Sequence, residues 1–383
     1  MKPRVLILTA GFGEGHNAAA RALAAAIDRK EPGAACVVDL FAESCPRLNA
    51  VVRRGYLAAI NGTPRLWSRA YRLMDKPGFM ARGAKLLRRE FRLLAERVAL
   101  ERPSAICCTF PAYAFLLSKL AKEGRMDTPY FNIVTDSISI NSVWWSAGCD
   151  GWFLPNEDSA AVLRNAGVDQ DRLHVSGFPV TDFFSRHAGD LRPPDLAAGA
   201  APRVLYIVNS GTRNAEATAH LLLAEEGWEI TCTVGRNRCL RESLAAKAAG
   251  RPREATILGW TDQIPRLLMT HHVVVSKAGG ATTQEAIAAR CPMIVNQVVP
   301  GQEEGNYELL RRHGIGMRAE TPEAVVGALR KAFAHQGRVW SEWSLALDPL
   351  ARPDAADAIA AHVFAHAARP GAAQPEPVPA ALS

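Results

Sequence analysis

The side chains best suited to chemistry gather between Val273 and Asn306: Lys277, the pair Gly279–Gly280, then Ala281, Thr282 and Glu285, and finally Gln302, Glu303 and Asn306. A glycine pair ahead of a helix lets an anion approach bare backbone N–H groups at the positive end of the helix dipole. Lys277 adds a point charge for phosphate. Thr282 and Thr283 read as caps of a helix that carries Glu285 in its first turn, where a carboxylate can accept two ribose hydroxyls. The amide and carboxylates of the next loop suit the hydroxyls of a sugar. Together they describe a nucleotide-sugar site. Tight packing alone can also produce a strand–Gly-Gly–helix turn, but it does not explain a second polar cluster right after the next strand. Ligands of doubly wound sheets collect at the carboxyl ends of adjacent parallel strands.

A second constellation lies far upstream. Gly11 to His16, GFGEGH, follows an apolar strand and precedes an alanine-rich helix read as Ala18 to Arg29. Gly13 and Gly15 permit a tight turn and close approach of a ligand to backbone. With Asp39 at the end of the next strand, this could be a dinucleotide fingerprint, except that His16 occupies the position of the third glycine. An imidazole titrating near neutrality is suited to taking a proton from an attacking hydroxyl. A helix cap or a phosphate ligand is the plainer use. Asp136 closes the strand PYFNIVTD, where it could orient or polarise His16, bind an acceptor hydroxyl, or cap a loop.

The elements that must position these residues read as two series of strand–helix units. A length of 383 residues exceeds one ordinary core and predicts two domains. The Pro-, Gly- and Ala-rich run Asp190 to Pro202 marks their boundary. The expected organisation is a first domain over 1–185, a linker over 186–202, a nucleotide-binding domain over 203–338, helices over 339–367 and a disordered tail over 368–383. No run approaches the roughly 18 apolar residues of a membrane-spanning helix, and the start lacks the pattern of a signal peptide. Eight cysteines include no CxxC pair, which fits reduced thiols in the cytosol.

Charge is local. Arg53 to Arg97 holds 12 Lys/Arg against 3 Asp/Glu, so the formal +7 of the chain comes from this stretch. Arg65, Trp67, Arg69, Tyr71 and Arg72 interleave cations with aromatics, a composition that suits an anionic bilayer surface. Further on, Leu87, Phe91, Leu94 and Val98 share a helical face opposite Arg89 and Arg92. Nucleic acid is the competing polyanion, but no nucleic-acid module accompanies the patch. A solvated basic face over a core helix is the third possibility.

Taken in order, these motifs resemble the inverting glycosyltransferases of GT-B fold, the group that holds the lipid-II-forming GlcNAc transferase and the monogalactosyl- and glucosyl-diacylglycerol synthases. The resemblance runs from about Val5 to about Leu350. The loop PGQEEGN, the opening GxGxGH, the VTD at Asp136 and TPRLWSRAYRLMD look most like the diacylglycerol enzymes. The resemblance implies two doubly wound Rossmann-like α/β domains facing a cleft. It also implies transfer of glucose or galactose from a UDP-sugar to diacylglycerol, at the inner face of the cell membrane, by a cytoplasmic peripheral protein. His16 would be the base. Ser210, Gly211 and Thr212 would join Lys277 and the 278–281 turn on the diphosphate, and backbone near Gly259 and Trp260 would hold the uracil. No metal or cofactor is required, because helix dipoles and side chains can offset leaving-group charge. The chain departs from the family pattern twice. It keeps one glycine in the 210–212 loop, and Asn141-Ser-Val-Trp-Trp stands where relatives commonly continue to His-Pro-x-Trp.

Two other functions fit less of the sequence. One is the same chemistry on a polyprenyl-linked acceptor. The other is a nucleotide-sugar-binding protein without transferase activity, which has little need of His16. A UDP-GlcNAc epimerase would need acid/base pairs that cannot be assigned, and a dehydrogenase would not need a nucleotide site in the second domain.

Overall fold

The computed structural model describes residues 3–11, 13–44, 46, 55, 87–208, 214–301 and 303–367. The chain divides into two units: Met1–Asp182 with Pro300–Gly305 and Asp354–Ser383, and Phe183–Val299 with Asn306–Pro353.

The first unit is built on six parallel strands: β1 (Val5–Thr9), β2 (Ala35–Asp39), β3 (Ala105–Cys108), β4 (Tyr130–Ile133), β5 (Gly151–Leu154) and β6 (Leu173–Val175), in the order β2-β1-β3-β4-β5-β6. Every residue of β1 is buried, as expected of a strand covered on both faces. Alternation then divides its side chains between two cores. Val5 and Ile7 meet Leu23 and Ile27 of helix Glu14–Lys30 and Ile359 and Val363 of helix Ala355–Ala367. Leu6 and Leu8 join the opposite cluster, with Leu94 and Val98 of helix Arg88–Glu101 and Leu116 and Leu120 of helix Ala112–Lys122. The apolar face expected from Leu94 and Val98 is therefore real, with Arg89 and Arg92 exposed. Arg29 bonds Asp357 at 2.8 Å, fastening the last helix to the first.

The second unit repeats the plan with β7 (Arg203–Ile207), β8 (Glu229–Thr233), β9 (Ala255–Leu258), β10 (Val273–Lys277), β11 (Met293–Gln297) and β12 (Gly316–Arg318), ordered β12-β11-β10-β7-β8-β9 and all parallel. Its core joins Val204, Tyr206, Ile230, Val275 and Ile294 to Leu222, Leu244 and Leu329. Helix Pro322–Leu347 is broken at Ala334 to Gly337, with Gly337 at φ 78°. The positive φ of Gly337 suits glycine, and a Cβ there would come 2.5 Å from Leu196 Cδ1, so that side chain would have to shift.

In both sheets the chain steps outward on one side of the first strand and then crosses to the other. The reversals lie between β1 and β3 and between β7 and β10, the positions where open α/β sheets bind ligands at their carboxyl ends. Among the described residues no helix is long and apolar enough to cross a membrane.

Two helix starts differ from the sequence expectation. The first helix begins at Glu14, not Ala18, so His16 lies inside its first turn; Gly13 is the extended N-cap, and Glu14 complements the dipole. The helix after β10 begins at Gly280 with Gly279 as N-cap and no side-chain cap. Thr282 is thus within the first turn and Thr283 is buried, while Glu285 falls in the second turn.

Candidate active site

His16 stands at the reversal point of the first sheet. Its Nδ1 lies 2.7 Å from the carbonyl oxygen of Thr109, just past β3, and 2.9 Å from Oγ1 of Thr135, just past β4. A carbonyl can only accept, so Nδ1 carries the hydrogen and Nε2 keeps its lone pair. Phe110 abuts the ring edge-on, centroids 5.3 Å apart, and restrains its rotation. Burial pulls the imidazole below its ordinary value of 6.5, outweighing the opposing pull of Asp136 and the Thr109 carbonyl. The ring is therefore neutral near pH 7, in the tautomer that can take a proton at Nε2.

Asp136 follows Thr135, and its charge reaches His16. Burial raises its carboxyl above the usual range, against the pull of His16 and of a hydrogen bond from Trp144. Trp144 Nε1 donates to Asp136 Oδ2 at 2.8 Å. That indole belongs to the 3-10 turn Ser142–Trp144, whose cap is Asn141: its Oδ1 accepts from the Val143 N–H at 3.1 Å. The buried Nδ2 of Asn141 has no partner among the described residues.

The sequence singled out His16 and Asp136 but not Thr109, Thr135 or Trp144. The signal for the two threonines was their position just past strand ends, Thr109 after β3, which borders the reversal point, and Thr135 after the neighbouring β4. Nothing local marked Trp144 beyond its place in the departing NSVWW run.

In the second unit, β10 ends at Lys277, and the chain turns at Ala278 into helix Gly280–Ala288. Gly279 is extended, and with no side-chain cap the first-turn N–H groups are left for an anion. The Ala278 N–H donates to the Gln297 carbonyl at 3.0 Å, which ties this turn to the end of β11. Asn306 Nδ2 donates to the Ala278 carbonyl at 2.9 Å. Two side-chain oxygens close to this turn, Asn306 Oδ1 and Gln297 Oε1, are buried with no partner among the described residues. Carbonyl oxygens only accept, so the chemistry they ask for is a hydroxyl or amine donor. Gln297 was not among the expected site residues; only its place at the end of β11 could have drawn attention to it.

Lys277, Glu285 and Glu303 each already hold an interaction within the protein. Glu303 is buried and belongs with Gly305 to the first unit. There Gly305 runs so close to Ser137 and Ser139 that a Cβ would overlap the Ser137 carbonyl oxygen. Gly13 caps the first helix, and Gly15 is within it. Gly259 follows β9, and Trp260 is 72% exposed. Ser210, Gly211, Thr212, Gln302, Arg65, Trp67, Arg69, Tyr71 and Arg72 lie outside the described residues.

Two parallel six-stranded sheets, each with chemistry-bearing residues at its reversal point, define a protein of GT-B fold. Solved structures share that architecture. Os79 from O. sativa in complex with UDP superposes with a TM-score of 0.63 at 12% identity, over 95% of this chain and 100% of that one. The S. aureus MnaA structure with UDP gives 0.60 at 13% identity, over 94% and 96%. A UDP-GlcNAc 2-epimerase from Neisseria meningitidis gives 0.59 at 12%, over 94% and 99%. Sequence comparison narrows the class. Residues 16–180 match the family described as monogalactosyldiacylglycerol (MGDG) synthase. The processive diacylglycerol beta-glucosyltransferase of Bacillus cereus (strain AH820) is 24% identical over 375 residues, covering 95% of this chain and 94% of the relative. That of Bacillus thuringiensis (strain Al Hakam) is also 24% identical, over 93% and 92%. The chain is thus similar in sequence to the monogalactosyldiacylglycerol synthase family over residues 16–180 and to diacylglycerol glucosyltransferases over most of its length.

Proposed function

We propose that the protein transfers glucose or galactose from a UDP-sugar to diacylglycerol, with inversion at the anomeric carbon. The observation that carries this reading is the neutral His16, with Nε2 free to accept at a sheet reversal point, in a chain that aligns end to end with diacylglycerol glucosyltransferases.

The reaction needs three services from the chain. Nε2 of His16 removes the proton from the acceptor hydroxyl as its oxygen attacks the anomeric carbon. The bond from that carbon to the diphosphate breaks on the opposite face, and negative charge builds on UDP. The bare N–H groups of Gly280, Ala281 and Thr282, together with Lys277 and the hydroxyl-bearing loop 210–212, take up that charge. Glu285 accepts from the ribose, backbone at Gly259 and Trp260 holds the uracil, and Gln302, Glu303 and Asn306 read the hexose. Gly13 and Gly15 keep the acceptor side open to close approach. No metal ion enters this scheme. Asp136 steadies the imidazolium that forms on His16.

The acceptor is a lipid, so the protein works on a membrane surface without spanning it. Arg65, Trp67, Arg69, Tyr71 and Arg72 are the contact, on the cytoplasmic face where anionic lipids concentrate.

The test is incubation of purified protein with vesicles of anionic lipid containing diacylglycerol, offered UDP-glucose, UDP-galactose and UDP-GlcNAc separately. A glycosyl-diacylglycerol from one of the first two donors is expected. UDP binding with no glycolipid from any donor overturns the acceptor assignment, and the polyprenyl-linked acceptor becomes the next substrate to offer.

A further inference from the structure

We propose that Trp144 is a positioning residue for the base: its indole N–H pins the Asp136 carboxylate so that this charge steadies the imidazolium formed when His16 takes a proton. The inference rests on the transferase reading for its chemistry, but its geometry stands apart from any substrate.

Trp144 is fully buried and held from two sides. Its own carbonyl accepts from Asn132 Nδ2 at 3.1 Å and from Trp152 Nε1 at 2.8 Å. Its N–H meets the Asn141 carbonyl at 3.1 Å in the 3-10 turn. The indole therefore has little freedom, and its one polar group points at Asp136 Oδ2, 2.8 Å away. A buried indole N–H needs an acceptor, and a backbone carbonyl would serve, as it does for Trp152. Trp144 uses a carboxylate instead, and a bond to a charged acceptor is about twice as strong as one to a neutral acceptor. The other oxygen, Oδ1, has no partner among the described residues. The carboxylate is thus oriented by one bond without being neutralised.

The tryptophan ring also lies 6.3 Å from the His16 ring, centroid to centroid, so one side chain borders both members of the pair. Asp136 is the ionisable group whose charge reaches His16, and His16 the one whose charge reaches Asp136. Thr109, Thr135, Phe110 and Trp144, the described residues that contact the pair, are neutral. The role follows from this isolation. Among the described residues Asp136 is the opposite charge that reaches the imidazolium once Nε2 gains its proton, and a fixed, oriented charge stabilises more than a mobile one.

The sign of the effect can be worked out. A hydrogen bond to the ionised carboxylate favours that form, so removing the donor lets Asp136 take a proton at higher pH. With Asp136 neutral, His16 loses the charge that holds its proton, and its own midpoint falls. The Trp144→Phe variant should therefore move two titrations in opposite directions. The Asp136 carboxyl midpoint, read from side-chain 13C shifts, should rise, and the His16 imidazole midpoint, read from ring 15N shifts, should drop. At fixed pH near 7, kcat should fall about tenfold with KM for the UDP-sugar unchanged.

The experiment measures wild type, Trp144→Phe, Asp136→Asn and the double variant on diacylglycerol vesicles across pH, with the NMR titration of His16 and Asp136 in parallel. The expected result is the opposed pair of shifts, and a double variant no slower than Asp136→Asn alone. A uniform loss of rate at every pH, an unmoved His16 midpoint, or additive losses in the double variant would overturn the proposal. If wild type makes no glycolipid, the transferase reading has failed instead. The NMR titration would then decide the Trp144–Asp136–His16 link without any turnover.

Discussion

His271 ties acid stability to the sheet that carries Lys277. It follows helix Ile264–Thr270 and leads into β10. Its Nδ1 lies 2.7 Å from the Leu267 carbonyl oxygen and its Nε2 2.9 Å from Thr231 Oγ1. The carbonyl fixes the hydrogen on Nδ1, so Nε2 accepts from the threonine hydroxyl and both ring nitrogens are satisfied only in the neutral form. Burial, helped by the nearby charges of Arg203 and His272, pulls its pKa from 6.5 down to about 4. Between those values the unfolded chain binds a proton that the native ring refuses. The contribution to stability is therefore complete above pH 6.5 and is lost as pH falls through 6.5 toward 4, amounting to about 2.5 kcal/mol at pH 4.5. The assay is urea unfolding followed by tryptophan fluorescence at several pH values, comparing wild type with His271→Gln. The variant should lose less stability than wild type between pH 7 and 4.5, by about 2 kcal/mol. His272, also held down by burial, leaves a residual slope of the same sign. Identical pH dependence in the two proteins would refute the reasoning.

Lys277→Ala should raise KM for the UDP-sugar about tenfold, equivalent to about 1.4 kcal/mol, with little change in the pH profile; an unchanged KM would remove Lys277 from the diphosphate. Gly305→Ala should lower the melting temperature or the turnover, because backbone at Ser137 cannot yield as a side chain can; the expected loss is about 1–3 kcal/mol, and a variant with wild-type melting and rate would sink the argument. Excess EDTA should leave the rate of glycolipid formation unaltered, whereas recovery of a lost rate by added Mg2+ would count against metal-free departure of UDP.

Much of the fold was legible because parallel strands buried on both faces write themselves as apolar runs. The runs at Val5, Ser104 and Arg203 each became a strand, trimmed by a residue or two at the ends, and the run at Val273 became a strand that continues to Lys277. Helix starts were harder. Gly13 and Gly279 act as N-caps through backbone conformation, and neither offers the Ser, Thr, Asp or Asn side chain that marks a cap in sequence. Hence His16 and Thr282 were both placed outside turns that contain them.

The site was legible in its ends and not in its middle. His16 and Asp136 stand out as titratable residues after strands. Their link runs through Thr109, Thr135 and Trp144, brought in from β3, β4 and a short turn, and no spacing along one segment encodes that. Gln297 escaped notice for a similar reason. A lone amide at a strand end acquires meaning only when its buried oxygen is found unpaired.

The central claim is that neutral His16 is the base of hexose transfer to diacylglycerol. The most direct test is the single-turnover rate of glycolipid formation by His16→Ala on diacylglycerol vesicles, alongside its affinity for UDP. The account predicts a rate lower by about 10²- to 10⁴-fold, the range for loss of a general base, with UDP affinity intact. A variant turning over near the wild-type rate, while Asp136→Ala is dead, would contradict it and hand the base to Asp136.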